Sequence, residues 1–95
     1  MNRKYQVMQV TVDEVADFYG FIRVGSRWFH PAGKLHFSPD GLAGWYWSHN
    51  GLLELGGVFK TSCDNTQDPV RDEVHGPFET ELECLEDLRL ETVGA

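Results

Sequence analysis

The sequence contains few of the residue patterns that identify disulfide-rich proteins or metalloproteins. Its two cysteines, Cys63 and Cys84, are too few for a disulfide scaffold, so we expect free thiols, at least one of them partly buried. No Cys-x-x-Cys or His-x-x-x-His pair occurs, and structural zinc sites usually need such pairs. The histidines are therefore predicted to be ordinary polar residues of strands or turns: His30, His36, His49 and His75.

Motifs of the common enzyme classes are also missing. The sequence has no Gly-x-Ser-x-Gly, no phosphate-binding glycine-rich loop and no His-Glu-x-x-His. Ser48 beside His49 does not form a catalytic dyad, because adjacent residues of a strand point to opposite faces. We therefore expect no enzymatic activity and no cofactor.

Long hydrophobic segments are absent as well. No apolar run reaches the roughly 18 residues that a membrane-spanning helix needs. The first residues, Met1-Asn2-Arg3-Lys4, are basic, but the apolar segment of a secretory signal does not follow them. The sequence thus predicts a cytosolic protein without a membrane anchor.

Basic residues are scarce, and the acidic residues are unevenly distributed. Residues 64–95 carry ten acids and two bases, a net charge of −8, whereas residues 1–63 have a net charge of +1 and contain all three Trp and all three Tyr. This balance argues against binding to duplex DNA or to anionic membranes, both of which usually need a basic surface. Another protein with a basic surface is the expected partner.

The length and the helix signals predict one α+β domain over residues 1–95. Thr11-Val-Asp-Glu14 and Thr80-Glu-Leu-Glu83 fit the capping-box pattern that starts a helix. Gly20 is placed to end the first helix in a left-handed conformation. We expect a helix of about two turns after Thr11, with Val12, Val15, Ala16 and Tyr19 on one face, and a second helix over 81–90.

The strand signals predict an antiparallel meander of four or five strands, accompanied by a short N-terminal helix and a C-terminal helix. Residues 5–10 suit a first strand, and Gly25-Ser26 predicts a hairpin that pairs Ile22 with Phe29 and Arg23 with Trp28. Asn50-Gly51 predicts a second hairpin that pairs Tyr46 with Leu55 and Trp45 with Gly56. Further short strands are expected at 35–37 and 58–59, and residues 76–78 are expected to form a last short strand or an entry turn.

The second hairpin has apolar residues on both faces, and Trp45, Trp47, His49 and Leu52 share one of them. One interpretation is a core face covered by the helix 81–90 through Leu82, Leu85 and Leu88. The alternative is an exposed aromatic surface that stacks bases or binds a protein. A bare apolar face would also suit a homodimer.

The acidic residues of the predicted C-terminal helix also have two interpretations. Glu79, Glu83 and either Glu86 or Asp87 lie three or four positions apart and so share a solvent-facing surface. That surface either provides solubility or forms an acidic epitope that imitates nucleic-acid phosphates and binds a basic protein. Carboxylates one helical turn apart are roughly 5–6 Å from each other, close to the spacing of phosphates along a strand.

One segment resembles known small domains. Gly76-Pro-Phe-Glu-Thr-Glu-Leu-Glu-Cys-Leu-Glu-Asp-Leu88 resembles the Gly-x-Phe-x-Thr-x-x-Glu-Ala strand-to-helix ending of small α+β modules. These include AP2-type DNA-binding domains and phage-encoded proteins such as some anti-CRISPR inhibitors. Cys84 stands where alanine is typical, and this sequence has few of the basic residues with which AP2-type domains read DNA. The resemblance therefore implies a small phage-encoded inhibitor.

Together these patterns predict a small, non-enzymatic protein-interaction module or inhibitor whose acidic C-terminal surface meets a basic partner. The predicted partner-binding residues are Glu79, Glu83, Glu86, Asp87, Trp45 and Trp47. The alternative function is a single-stranded nucleic-acid-binding module that uses the Trp45/Trp47 face together with Arg23 and Arg27.

Overall fold

The computed structural model describes residues 5–49, 54–60 and 69–93, which form an α+β fold. The elements follow in this order: β1 (Gln6–Val10), α1 (Val12–Tyr19), β2 (Ile22–Val24), β3 (Arg27–Phe29), α2 (Pro39–Leu42), β4 (Gly44–Ser48), α3 (Leu55–Val58), β5 (Val74–Phe78) and α4 (Glu81–Val93). In this part of the chain, no helix is both long enough and apolar enough to cross a membrane.

Helix α1 forms as its sequence predicts. The Glu14 amide donates to the Thr11 hydroxyl at 3.2 Å, and the Thr11 amide donates to the Glu14 carboxylate at 3.0 Å, which completes the capping box. Gly20 ends the helix with φ +85°, and its amide donates to the Ala16 carbonyl at 2.8 Å. Val15, Ala16 and Tyr19 are buried on the predicted face.

The hairpin of β2 and β3 also has the predicted register, with Ile22 opposite Phe29, Arg23 opposite Trp28, and Val24 opposite Arg27. Gly25 has φ +65° at the first loop position, which is where a glycine-first two-residue loop requires a positive value. The two strands form a sheet of their own.

The larger sheet is antiparallel, but it is not the predicted meander. Its order is β1-β4-β5, so the central strand β4 pairs with β1, which lies far earlier in the sequence, and with β5, which follows it. Trp47 pairs with Val7 on one side and His75 on the other. The predicted pairing of Tyr46 with Leu55 is wrong, because Leu55 begins α3 and Tyr46 pairs with Met8. The Asn50-Gly51 turn itself lies outside the described residues.

The short strands expected at 35–37 and 58–59 also need correction. Residues 35–37 form no strand, and they are followed by the short helix α2, Pro39–Leu42. Proline occupies the first turn of α2, where its missing amide hydrogen costs no hydrogen bond. The expected strand at 58–59 is reduced to a single bridge between Phe59 and Val70.

The hydrophobic core lies on one face of the larger sheet. Tyr46 of β4 is fully buried there, and its hydroxyl donates to the carbonyl of Leu42. The ring of Phe59 meets the Tyr46 ring edge-on at 5.5 Å and lies 5.8 Å from the ring of Tyr19. The other core residues come from the sheet, from α1 and from the segments that follow: Val10, Val15, Leu42, Val58, Val70 and Val74. The core therefore joins α1 to the sheet on this face.

Strands β4 and β5 approach each other closely at two glycines. Gly44 has φ +148° and Gly76 has φ +137°, and the Gly76–Pro77 peptide bond is cis. A methyl group on Gly76 would lie 2.6 Å from the carbonyl oxygen of Trp45, and one on Gly44 would lie 2.7 Å from that of Phe78. The β-bulge at this position places both His75 and Phe78 opposite tryptophans of β4.

Candidate interaction surface

Helix α4 covers the second face of the larger sheet, the face that holds the tryptophans. The helix packs against β1, β4 and β5. Trp47 is 0% exposed, and Trp45 is partly buried. The prediction that Trp47 is available to a partner is therefore wrong. Helix α4 covers this face as the core interpretation expects, but not through Leu82 and Leu85, which are exposed. The physical reason is that Trp47 lies on the central strand, where a helix laid across the sheet covers it first.

A polar contact at the indole of Trp47 holds α4 in place. Its Nε1 donates to the Asp87 carboxylate at 2.9 Å, and the ring of His75 stacks on the indole with 4.1 Å between centroids and 8° between planes. His49 and Tyr5 meet the same indole edge-on at 5.0 and 6.3 Å. Asp87 is therefore half-buried and hydrogen-bonded, not a free member of an acidic epitope.

Cys84 is the buried side chain of α4 and lies one turn before Asp87. Burial, together with the smaller effect of the negative charges of Asp87 and Glu81, raises the pKa of this thiol from its ordinary 9.0 to about 11. The thiol is therefore protonated at neutral pH, and it carries neither a disulfide nor the properties of a nucleophile.

The leucines of α4 do not point where their spacing predicts. Cys84, Asp87 and Leu88, at i, i+3 and i+4, face the sheet, and only Leu88 of the predicted inward leucines is partly buried. Leu82 is 67% and Leu85 43% exposed, and farther along the helix Leu90 is 72% and Val93 75% exposed. The prediction failed because the sheet offers a buried indole N–H, which needs an acceptor such as Asp87 rather than a leucine.

The exposed apolar residues of α4 lie along one side of the helix, in a stripe that also contains Glu86. Leu82, Glu86, Leu90 and Val93 follow at i, i+4, i+8 and i+11, and Leu85 lies beside them. We call these five residues the outer face of α4. A depression of about 270 Å³ lies on it, lined by Glu86, Leu90 and the neighbouring Arg89.

The acidic residues flank this stripe. Glu79 and Glu83 are exposed, and so is Glu86, which lies within the stripe. Three of the four predicted acidic site residues are therefore open to solvent. Glu81 and Glu91 are exposed on the same helix. The surface that α4 presents thus combines apolar side chains with carboxylates.

The described residues contain no cluster of side chains suited to binding a metal ion. Across residues 5–49, 54–60 and 69–93, no three His, Cys, Asp or Glu side chains are grouped so that they could bind a metal ion. His49 and His75 instead contact Trp47, and their ring centroids lie 6.1 Å apart.

Comparisons of the chain with known protein families, with curated proteins and with solved structures gave no match. The resemblance of residues 76–88 to phage-encoded inhibitors therefore stays a prediction. The surface of α4 has to be interpreted from its own residues.

Proposed function

We propose that the protein is a small, non-enzymatic interaction module that binds another protein through the outer face of α4. One observation carries the proposal: four large apolar side chains of one helix are exposed beside a row of glutamates. Several large apolar side chains exposed together, with polar residues around them, are characteristic of binding sites on soluble proteins. The apolar contacts come from Leu82, Leu85, Leu90 and Val93 rather than from the two tryptophans.

The apolar residues would supply most of the affinity. Full burial of one leucine side chain contributes roughly 1.5–3 kcal/mol, and interface energy usually concentrates in a few central residues. Leu90 lies at the depression beside Glu86, which suits it to a central position. We therefore expect Leu82→Ala and Leu90→Ala each to weaken partner binding by about 1–2 kcal/mol.

The carboxylates would supply orientation and rate of association. Glu79, Glu83 and Glu86 are exposed and screened by salt, so their contribution lies mainly in steering a basic partner toward the helix. Their spacing of about one helical turn supports an inhibitor role, in which α4 occupies a surface that a partner uses for nucleic-acid phosphates. A phage origin and a cytosolic setting belong to the same proposal.

The test is affinity capture from the native host with matched variants, followed by measurement on the purified pair. Wild type should retain a protein that Glu83→Lys/Glu86→Lys and Leu90→Ala lose. Asp13→Lys/Asp17→Lys, an equal charge reversal at exposed positions of α1, and Val24→Ala on β2 should retain it. Association of the purified pair should slow steeply as salt rises.

Two outcomes would contradict this proposal. Equal loss of capture in the α1 and α4 charge variants would mean that overall charge, not the outer face of α4, governs binding. Binding that does not depend on salt would remove the role given to the glutamates.

A further inference from the structure

The β2–β3 hairpin and the loop after β3 enclose a groove whose charge is opposite to that of the outer face of α4. Residues 18–39 contain Arg23, Arg27 and Lys34 and no Asp or Glu, in a protein whose net charge is −7. The groove has a volume of about 630 Å³, within the usual range of ligand pockets. Its walls combine aromatic rings with two cations: Phe21, Trp28, Phe29, Phe37, Arg27 and Lys34.

Contacts with α1 hold the walls of this groove in position. The Ala32 amide donates to His30 Nδ1 at 3.0 Å, so Nε2 of the same ring carries the hydrogen and donates to the Tyr19 carbonyl at 2.7 Å. The ring of Phe21 packs edge-on against His30 at 4.9 Å and against Phe37 at 5.7 Å. The groove is thus formed before any ligand binds, which reduces the entropy lost on binding.

The cations and rings of the hairpin are arranged side by side. The guanidinium of Arg23 lies 5.5 Å from the ring centroid of Trp28, and its Nε donates to the Gly25 carbonyl at 3.2 Å. Arg27 precedes Trp28 in β3, and Phe29, half exposed, follows it. Trp28 therefore contacts one cation, Arg23, and lines the groove together with a second, Arg27.

This combination fits a ligand that carries negative charges and flat rings on one flexible backbone. Phosphates pair with Arg and Lys, and unpaired bases stack on aromatic side chains, whereas the bases of a duplex are stacked on one another. We infer that the groove binds single-stranded nucleic acid, with two or three phosphates at Arg23, Arg27 and Lys34 and one or two bases against Trp28 and Phe29.

The negative net charge of the protein does not prevent this binding. None of the described residues that line the groove is acidic. The Debye length at physiological ionic strength is about 8 Å, whereas the molecule extends over 46 Å in its longest dimension. Local cations therefore dominate the potential in the groove. The inference does not depend on the function proposed for α4.

The experiment measures binding of a labelled oligothymidylate of about ten nucleotides by fluorescence anisotropy over a series of salt concentrations. Three phosphate contacts predict a slope of about −2 for log affinity against log salt, since each contact contributes roughly −0.7. Arg27→Ala should reduce this slope by about 0.7. Arg89→Ala, which removes the same charge from α4, should leave it unchanged.

A second variant tests base stacking. Trp28→Leu should weaken binding roughly fivefold to a hundredfold, as expected for the loss of one stacked base. An abasic strand of equal length should bind more weakly by a similar factor, and a duplex of the same length should bind more weakly than the single strand. Circular dichroism of each variant verifies that the fold is intact, and Arg27→Ala, at an exposed position, keeps the test decisive if Trp28→Leu does not fold.

Several results would overturn the inference. Absence of binding at about 50 mM salt would remove it altogether. Equal effects of Arg27→Ala and Arg89→Ala would show a response to overall charge rather than a site in the groove. Equally tight binding of the abasic strand or of polyglutamate would mean that the groove accepts any anionic chain, and an acidic protein segment would then be its occupant.

Discussion

The outer face of α4 and the β2–β3 hairpin both expose apolar side chains, but their charges are opposite. Ile22, Val24 and Phe29 of the hairpin are 55%, 59% and 50% exposed, comparable to the leucines of α4. The hairpin lies within a segment without acidic residues, whereas α4 and its start carry most of the acids of the described C-terminal part. Apolar exposure alone therefore does not distinguish the two surfaces, and charge decides which partner suits each.

The two surfaces also differ in how they are attached to the rest of the molecule. Helix α4 is held by a partly buried hydrogen bond between Asp87 and Trp47 on one face of the sheet. The hairpin is held through His30 and Phe21 at the C-terminal end of α1. The difference suggests that α4 depends on the sheet and the hairpin on α1, which the following substitutions test.

The largest expected difference lies between two glycines, one in the sheet and one in the hairpin. Gly76→Ala should lower the free energy of unfolding by about 3 kcal/mol or more, because the new methyl group would clash with the backbone of Trp45 and the ring of Tyr46. Gly25→Ala should cost only about 1 kcal/mol, since its methyl group meets nothing within 4 Å and only the positive φ is unfavourable. Urea denaturation measures both, and equal costs would contradict the close approach of β4 and β5.

A smaller effect is expected at the contact between α4 and the sheet. Asp87→Ala should cost about 2 kcal/mol, because it leaves the buried indole N–H of Trp47 without its acceptor. Glu86→Ala, at the adjacent exposed position, should change stability by less than about 0.5 kcal/mol. Thermal melting followed by tryptophan fluorescence compares the two. Similar stability of both variants would show that α4 does not depend on this hydrogen bond.

The smallest expected effect is a change of stability with pH. It separates the two regions because α4 contains the buried thiol of Cys84, whereas residues 18–39 contain no cysteine. The pKa of Cys84 is raised from 9.0 to about 11 on folding. A raised pKa contributes stability that is complete below the unfolded value and is lost as the pH rises through the folded value. Between pH 7 and pH 10 the wild type should lose roughly 1 kcal/mol more than Cys84→Ala. Denaturation midpoints at both pH values test this, and parallel losses would contradict it.

Local signals in the sequence predicted local structure well. The capping box of Thr11 and Glu14 and the loop of Gly25 act over a few residues, and the helix and the hairpin register they predict are both confirmed. The start of α4 after Thr80 follows from the same kind of signal, with the Glu83 amide donating to the Thr80 hydroxyl at 3.2 Å. Such interactions depend little on distant parts of the chain.

Pairing between distant segments could not be predicted in the same way. Asn50-Gly51 favours a hairpin, but β1 and β5 pair with the two edges of β4 and bring a partly buried partner, Val7 or His75, to each side of Trp47. The sequence did not predict which side of α4 faces the sheet. An inward side is recognised by apolar residues three or four positions apart, and Cys84 and Asp87 do not provide that pattern. Only the buried indole identifies them, and its position depends on the whole sheet.

The order of the strands has a consequence for synthesis of the chain. Val7 pairs with Trp47, forty positions later, and Trp47 pairs with His75, a further 28 positions along. At about 5–20 residues per second, a ribosome needs a few seconds to add the segment between β4 and β5. During that interval the indole of Trp47 has neither His75 nor α4 to cover it. A newly made chain therefore presents an apolar site to chaperones before the sheet is complete, and closing contacts of this sequence separation favours slow folding.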